Sequence, residues 1–307
     1  MIQILNYDKI RCDKITRDEI FAQAEEQTNV ADVVSEIIKT VREEGDSALF
    51  AYCEKFDKAI LDSLEVPQSE IDVAFAQMDE TFIKVLSEAK ENITQFHSRQ
   101  VRNSFIINET DGVVTGQKVI PIEKVGLYVP GGTAAYPSSV LMNAIPAKIA
   151  GTKEIVMVTP PTGGSVNPAI LAAAKIAGVD RIFKIGGAQA VAALAYGTES
   201  VPKVDKIVGP GNAYVAEAKR QVFGRVAIDM IAGPSEILVV ADEKSNPKYV
   251  AADLLSQAEH DKNASAVLIC TSQELAVAVQ QEIEIQLSSL PREEIARASI
   301  ESNGKLL

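Results

Sequence analysis

The stretch Val125-Gly126-Leu127-Tyr128-Val129-Pro130-Gly131-Gly132 shows the pattern that decides the fold. An apolar, β-branched run predicts a buried strand, and the Pro-Gly-Gly that follows predicts a tight loop. Further apolar runs recur downstream and alternate with helical runs. The predicted strands are Val125–Val129, Glu154–Thr159, Arg181–Ile185, Lys206–Val208, Glu236–Ala241 and Ala266–Cys270, and the predicted helices lie near 139–150, 168–177, 188–196, 212–223, 247–260 and 273–288. This alternation predicts an α/β fold with mostly parallel sheets covered by helices on both faces.

The region before this pattern, from residue 16 to about 101, reads as helical. Thr16–Glu19 is a capping box, and Asn29 is expected to cap the next helix. That helix has an apolar stripe and ends near Gly45; the stripe consists of Val30, Val33, Val34, Ile37, Ile38 and Val41. A longer helix near 80–101 has an apolar face made of Phe82, Val85, Leu86, Ala89, Ile93 and Phe96. The turn signal Asp111-Gly112 then marks the change to the α/β pattern.

Composition limits the possible functions. The 307 residues suggest roughly two domains, and a net charge of −12 argues against nucleic acid or an anionic membrane as a partner. No apolar run reaches the roughly 20 residues of a membrane span, and the N-terminal residues do not have a signal-peptide pattern. Cys12, Cys53 and Cys270 are widely spaced and odd in number, which predicts no disulfide framework and a cytoplasmic location.

Glycine-rich loops follow three of the predicted strands. They are Pro130-Gly131-Gly132, Gly186-Gly187-Ala188-Gln189 and Gly209-Pro210-Gly211-Asn212. Ligands of parallel sheets bind at the carboxyl ends of strands, and glycine lets backbone approach them closely. A site for a polar or phosphate-bearing ligand and ordinary turn chemistry both explain these loops. A fourth loop, Gly233-Pro234-Ser235, precedes a strand and belongs to the opposite edge if that strand is parallel.

A dinucleotide fingerprint and a metal site are both incomplete in the sequence. Gly209-x-Gly211 begins a G-x-G-x-x-G motif but reaches Tyr214 instead of the third glycine, although Asp229 lies near the position of a ribose-binding acid. Of the two histidines, His97 is expected to be a packed or surface residue. His260 and Gln257, three residues apart near a helix end, share one face and could meet one cation. Spacing alone favours a histidine that stabilises the helix C-terminus over a zinc site, which needs about four ligands.

Five ordered blocks resemble the histidinol dehydrogenase family. They are Val125–Gly132, Ile185–Ala190, Lys203–Asn212, Ile228–Met230 with Ala232–Glu236, and Leu254–His260. The resemblance implies a zinc-dependent oxidoreductase of histidine biosynthesis that oxidises L-histidinol to L-histidine through an aldehyde, using NAD twice. It implies NAD contacts at Tyr128, Gln189 and Asn212. It also implies a substrate contact at Ser235 and both zinc and substrate contacts at Gln257 and His260.

The resemblance also implies an architecture of two incomplete Rossmann-like domains, in a homodimer. The helical N-terminal region, 1–124, is expected to contribute to the first of these domains, together with 236–307. The second is expected at 125–235. The family pattern continues beyond Leu307 with a catalytic Glu-His pair and two more zinc ligands. No catalytic residue is therefore assigned within these 307 residues, and they are expected not to turn over histidinol by themselves.

Two other functions are compatible with the sequence. A thiol-dependent aldehyde dehydrogenase would use Cys270 at the end of a predicted strand, where a buried structural cysteine is also compatible with the pattern. A non-catalytic homologue would bind a nucleotide or a protein partner without turnover. Alkylation of the thiols tests the first, and calorimetry with NAD tests the second.

Overall fold

The computed structural model describes residues 1–5, 30–131, 135–231 and 235–307. The capping box predicted at Thr16–Glu19 and the cap predicted at Asn29 lie outside these residues. Contacts divide the described residues into two compact units, one of residues 30–231 and one of residues 1–5 with 235–307. Within the described parts of the chain, no helix combines the length and the apolar character needed to cross a membrane.

The secondary structure follows the predicted alternation. The strands are β1 (Gln3–Ile4), β2 (Phe105–Thr110), β3 (Val113–Gln117), β4 (Lys124–Tyr128), β5 (Glu154–Val158), β6 (Arg181–Phe183), β7 (Lys206–Val208), β8 (Ala227–Ile228), β9 (Glu236–Ala241), β10 (Ser265–Cys270) and β11 (Lys305–Leu306). The α-helices are α1 (Val30–Glu44), α2 (Asp46–Tyr52), α3 (Gln68–Ala76), α4 (Glu80–His97), α5 (Pro137–Ile149), α6 (Pro168–Ala177), α7 (Gly187–Tyr196), α8 (Ala213–Val222), α9 (Pro247–Ala258), α10 (Gln273–Leu287) and α11 (Glu293–Ser302). A π-helical turn at Cys53–Asp57 follows α2.

The larger unit contains a five-stranded parallel sheet in the order β6-β5-β4-β7-β8. Numbered along the chain, these strands run 3-2-1-4-5, which is the Rossmann order, and the order reverses between β4 and β7. Alternate residues point to opposite faces. Ile155 and Met157 therefore pack in one core, with α3 to α6, while Val156 and Val158 pack in another, with α1, α7 and α8.

Helix α1 carries the predicted stripe with one exception. Val34, Ile37, Ile38 and Val41 are buried, whereas Val33 is 42% exposed, so its assignment to the buried stripe was wrong. The helix ends before Gly45, which has a positive φ of 59°, as predicted from the glycine. On α4, Leu86 is buried, but the predicted face is too wide, because Val85 and Phe96 are exposed.

The helices of the N-terminal region belong to the larger unit. The stripe of α1 shares a core with the alanine-rich helix α7 and with α8. By contact, residues 30–124 group with 125–231, while strand β1 (Gln3–Ile4) pairs in the sheet of residues 236–307. That the N-terminal region and residues 236–307 together form the first Rossmann-like domain stays a prediction. The small side chains of α7 let α1 pack closely against α7 and α8.

The smaller unit contains a four-stranded sheet in the order β1-β11-β10-β9, and all its pairs are parallel. Strands β9 and β10 pair along their whole lengths, from Glu236 opposite Ser265 to Ala241 opposite Cys270. Helices α9, α10 and α11 supply its apolar core, including Leu254, Val279 and Ile300. The two parallel sheets with their helices confirm the predicted α/β class with Rossmann-like architecture.

Candidate functional site

The loops that follow β4 and β7 lie side by side at the switch in strand order. Gly209, the first residue after β7, is buried and has a φ of +116°. A Cβ added there would lie 2.1 Å from the carbonyl oxygen of Tyr128. Only glycine permits this approach, so Gly209 allows a close contact with the end of β4 at the carboxyl edge of the sheet. The approach of this loop to a ligand stays a prediction.

Asn212 ends the second of these loops and begins helix α8. Its Oδ1 accepts a hydrogen bond of 3.1 Å from the backbone N–H of Val215, so its side chain is the N-cap. Asn212 is exposed. The first turn of α8 therefore faces the switch point with the positive end of its dipole, which suits an anionic group.

Tyr128, at the end of β4, contacts the loop that follows β6. Its hydroxyl oxygen accepts a 3.0 Å hydrogen bond from the N–H of Gly187, the first residue of α7. The side chain is 4% exposed, and burial raises the pKa of its hydroxyl to about 12, so the group stays protonated at neutral pH. Gln189, in the first turn of α7, is only 2% exposed. The structure thus brings two of the expected NAD contacts, Tyr128 and Gln189, to neighbouring loops.

One pair of residues in this region, Asp229 and Lys219, was not predicted from the sequence. Asp229, noted only for its spacing, accepts hydrogen bonds from Gly209 N–H at 2.8 Å and from Met230 N–H at 2.7 Å. It also forms an ion pair with Lys219, whose side chain is 3% exposed and whose Nζ donates to the Gly209 carbonyl at 3.0 Å. The carboxylate is thus committed to protein groups. The sequence gives no local signal for this pair, because a lysine on a helix is normally solvated.

A second unforeseen cluster surrounds the π-helical turn. Burial raises the pKa of Asp57 to about 6, and its Oδ2 is buried with no hydrogen-bond partner among the described residues. Burial, and then the charge of Asp57, raise the pKa of Cys53 to about 12, and the thiol donates to the Lys184 carbonyl at 3.4 Å. The charge of Asp57 also reaches Tyr128. Cys53 is buried, and Asp57 is half-buried with one of its carboxylate oxygens enclosed.

The remaining candidates, Ser235, Gln257 and His260, lie in the smaller unit. Ser235 precedes β9, and its carbonyl accepts a 3.3 Å hydrogen bond from Ser265 at the start of β10. Helix α9 ends at Ala258, and the N–H of His260 donates to the Gln257 carbonyl at 3.2 Å. Because β9 and β10 are parallel, all three residues lie toward the amino edge of this sheet, as predicted for Ser235.

The turn that carries His260 is held by the two residues that flank α11, Arg292 and Asn303. Arg292 donates to the His260 carbonyl at 3.3 Å, and Asn303 donates to the carbonyls of Lys262 and Ala264 at 3.3 and 3.2 Å. His260 itself is exposed, and Gln257 is half-buried. The imidazole is therefore presented to solvent on an anchored turn.

A zinc site is only partly provided by these residues. Zinc takes about four ligands, and Gln257 and His260 are two candidates, of which the amide is an uncommon zinc donor. Among the described residues, no three His, Cys, Asp or Glu side chains come together as a metal site. Donors other than these two are therefore required, and the cluster as described does not fit a complete zinc centre.

A dinucleotide fits the other group of residues better. A diphosphate binds at helix N-termini and close to glycine backbone. The switch point offers both, since the first turns of α7 and α8 follow the loops that contain Gly186 and Gly209. The fold defines a Rossmann-like α/β protein, and the loops with Gly186 and Gly209 form a candidate ligand site, called the cradle below, at the carboxyl edge of its five-stranded sheet.

Comparison with known proteins identifies the family. A model of the histidinol dehydrogenase family matches residues 21–307. Histidinol dehydrogenases of Listeria innocua and Listeria monocytogenes are 57% and 55% identical over 278 and 305 residues, which cover 91% and 99% of this chain. A crystal structure of histidinol dehydrogenase from Elizabethkingia anophelis superimposes with a TM-score of 0.91 at 40% identity, covering all of this chain and 70% of that one.

The chain belongs to the histidinol dehydrogenase family. It spans about two thirds of the length of the curated relatives that it matches, 65% of the L. innocua protein and 69% of the L. monocytogenes protein. The resemblance of the five sequence blocks is thereby confirmed. The alternative based on a reactive thiol gains no support from the geometry, because the thiol of Cys270 contacts the backbone carbonyl of Ser272 at 3.5 Å and not a basic side chain.

Proposed function

We propose that this chain serves the NAD-dependent oxidation of L-histidinol to L-histidine through the aldehyde, a step of histidine biosynthesis. Membership of the family supports the reaction. The main observation that supports NAD as the cofactor is the reversal of strand order between β4 and β7, with glycine loops and helix N-termini beside it. An acidic, cytoplasmic homodimer without a nucleic-acid or membrane partner remains part of this proposal.

The residues at the switch point bind and orient NAD. The first turns of α7 and α8 hold the diphosphate, while Asn212 closes the cradle on the side of α8. Tyr128 fixes the start of α7 through its bond to Gly187, and Gln189 lies in the same turn. The bound cofactor supplies the hydride acceptor, and the chain contributes position and exclusion of water.

Ser235, Gln257 and His260 form the substrate side of the proposal. When bound, zinc would orient the substrate's amino and imidazole nitrogens, with Gln257 and His260 as two of its ligands. Ser235 would contact the substrate from the start of β9. No general acid or base is assigned to these 307 residues, so the proton transfers are left to groups other than these three.

The assignment of Asn212 is tested by calorimetry with NAD. Asn212→Asp keeps an N-cap acceptor but places a negative charge beside the diphosphate, and we expect at least about tenfold weaker binding. Asn167→Asp is the matched control, because Asn167 caps α6 with a 2.9 Å bond to Ala169 N–H. Unchanged NAD affinity in Asn212→Asp would refute the assignment, as would equal losses in both variants.

The reaction is tested by NADH formation with L-histidinol, NAD and zinc. The 307-residue chain is compared with the same chain joined to the part of the L. monocytogenes relative that it does not match. Turnover only by the joined form agrees with an acid–base pair outside these residues. Turnover by the 307 residues alone would contradict that expectation. NAD binding without turnover by either form would favour the non-catalytic alternative.

A further inference from the structure

Helix α8 buries a lysine in an otherwise apolar face. The residues on this face are Val215, Ala218, Lys219 and Val222, and the Lys219 side chain is 3% exposed. A buried ammonium is strongly destabilising unless it is paired and hydrogen-bonded. Here both conditions are met, since Nζ contacts the carboxylate of Asp229 and donates to the Gly209 carbonyl.

The pair binds both polar backbone groups of one residue. Asp229 accepts the N–H of Gly209 at 2.8 Å, while Lys219 donates to its C=O at 3.0 Å. Asp229 follows β8 and Lys219 lies on α8, so the pair joins these two elements to the loop after β7. Gly209 is the residue whose φ of +116° and contact with the Tyr128 carbonyl set the course of that loop.

The pair also balances charge beneath the cradle. Asp229 alone would place a carboxylate close to the loop that is proposed to bind a diphosphate, and like charges in a poorly solvated site repel strongly. Lys219 neutralises it at direct contact. Removing the lysine therefore has two effects, a loosened loop and an uncompensated negative charge.

We propose that Lys219 and Asp229 are positioning residues that hold the Gly209–Asn212 loop for the dinucleotide. They act through the loop backbone and do not contact the cofactor. The inference rests on the proposed function in one respect, since the ligand of the loop is NAD only if that proposal is right.

The test uses Lys219→Met with Arg220→Met as the matched control. Arg220 lies next to Lys219 on α8, but its pair with Glu217 is exposed and does not reach the loop. Two readouts are measured, hydrogen exchange of the backbone amides of Gly209, Gly211 and Asn212, and the NAD dissociation constant. For Lys219→Met we expect at least about tenfold faster exchange and at least about tenfold weaker NAD binding. For Arg220→Met we expect both within about twofold of the unsubstituted chain.

A double variant separates positioning from general damage. Lys219→Met combined with Asp229→Asn removes the uncompensated charge but keeps an acceptor for the Gly209 N–H. We expect it to bind NAD more tightly than Lys219→Met alone. A purely structural role would make the double variant worse than either single one.

The outcomes distinguish the inference from the proposed function. Unchanged exchange of the Gly209, Gly211 and Asn212 amides in Lys219→Met overturns the inference, whatever happens to NAD. If the unsubstituted chain fails to bind NAD, the proposed cofactor is wrong, and exchange still decides whether the pair holds the loop. If Lys219→Met does not fold, Asp229→Ala, which removes the acceptor of the Gly209 N–H, decides: exchange faster by about threefold or more supports the inference, and unchanged exchange overturns it.

Discussion

Replacement of Gly209 by alanine tests the geometry of the switch point most directly. The substitution has two separable consequences. The first is conformational, because a φ of +116° is strained for any residue with a Cβ. The second is steric, because the new Cβ would lie 2.1 Å from the Tyr128 carbonyl oxygen and 3.0 Å from its carbon, and these are backbone atoms that cannot rotate away.

Gly224 separates these two effects. It has a similar φ of +95°, but a Cβ added there meets nothing within 4 Å. Gly224→Ala is therefore expected to lose only the conformational part, about 1–3 kcal/mol of unfolding free energy. Gly209→Ala has to displace β4 or the loop as well, an overpacking cost of about 1–3 kcal/mol more. At about 2–4 °C per kcal/mol, its melting temperature should fall several degrees below that of Gly224→Ala.

The assay is urea unfolding of both variants, with NAD calorimetry on the folded proteins. Gly209→Ala is expected to show the larger loss of unfolding free energy and at least about tenfold weaker NAD binding, while Gly224→Ala keeps the affinity of the unsubstituted chain. Equal unfolding free energies for the two variants would refute the close approach of the loops. If the two variants differ in stability but both bind NAD with unchanged affinity, the close approach of Gly209 to Tyr128 is supported and the assignment of this region to NAD binding is refuted.

Two further predictions concern the cores. Leu49→Ala, at a side chain with no exposure, is expected to lower the unfolding free energy by about 2–5 kcal/mol, while Val33→Ala, at an exposed position of α1, changes it by less than about 0.5 kcal/mol in urea unfolding. Burial raises the pKa of Asp57 to about 6, above its ordinary value of 3.8, so the native state binds the extra proton and loses stability as the pH rises through this window. Between pH 4.5 and 7.5, the unfolding free energy of Asp57→Asn should therefore rise relative to that of the unsubstituted chain by on the order of 1 kcal/mol, after allowance for solvent screening. The exposed control Asp62→Asn should show no such rise. Parallel profiles of unfolding free energy against pH for all three proteins would contradict the burial of Asp57.

The sequence predicted those elements whose signals are local. Strand β9 (Glu236–Ala241) and helix α6 (Pro168–Ala177) have the predicted bounds, because an apolar run or a helical stripe ends in each case at turn or capping residues. Helix α11 (Glu293–Ser302) and strand β11 (Lys305–Leu306) were not predicted. A strand of two residues carries no periodicity, and β11 exists because it pairs on both sides, with β1 and β10.

In the candidate site, too, features with a local sequence signal were predictable and features that depend on the fold were not. Glycines after strands are visible in the sequence, and the loops with Gly186 and Gly209 do lie at the carboxyl edge of one sheet. The pair formed by Lys219 and Asp229 was not predictable, because lysine on a helix is normally solvated and only the fold shows that its amine is buried. The spacing of Asp229 from Gly211 suggested a ribose contact, but in the structure its carboxylate holds the loop backbone.

The two groups of candidate residues lie in different units, and this allows their roles to be separated. Tyr128, Gln189 and Asn212 all belong to residues 30–231, while Ser235, Gln257 and His260 all belong to the smaller unit. A change at Gly209 or Lys219 should therefore alter the affinity for NAD, and His260→Ala should alter zinc binding. Any effect of one ligand on the affinity for the other is then a coupling free energy, which must be equal in both directions. Titrating NAD with and without zinc, and zinc with and without NAD, measures that coupling without turnover and so tests the two site assignments independently of the catalytic residues.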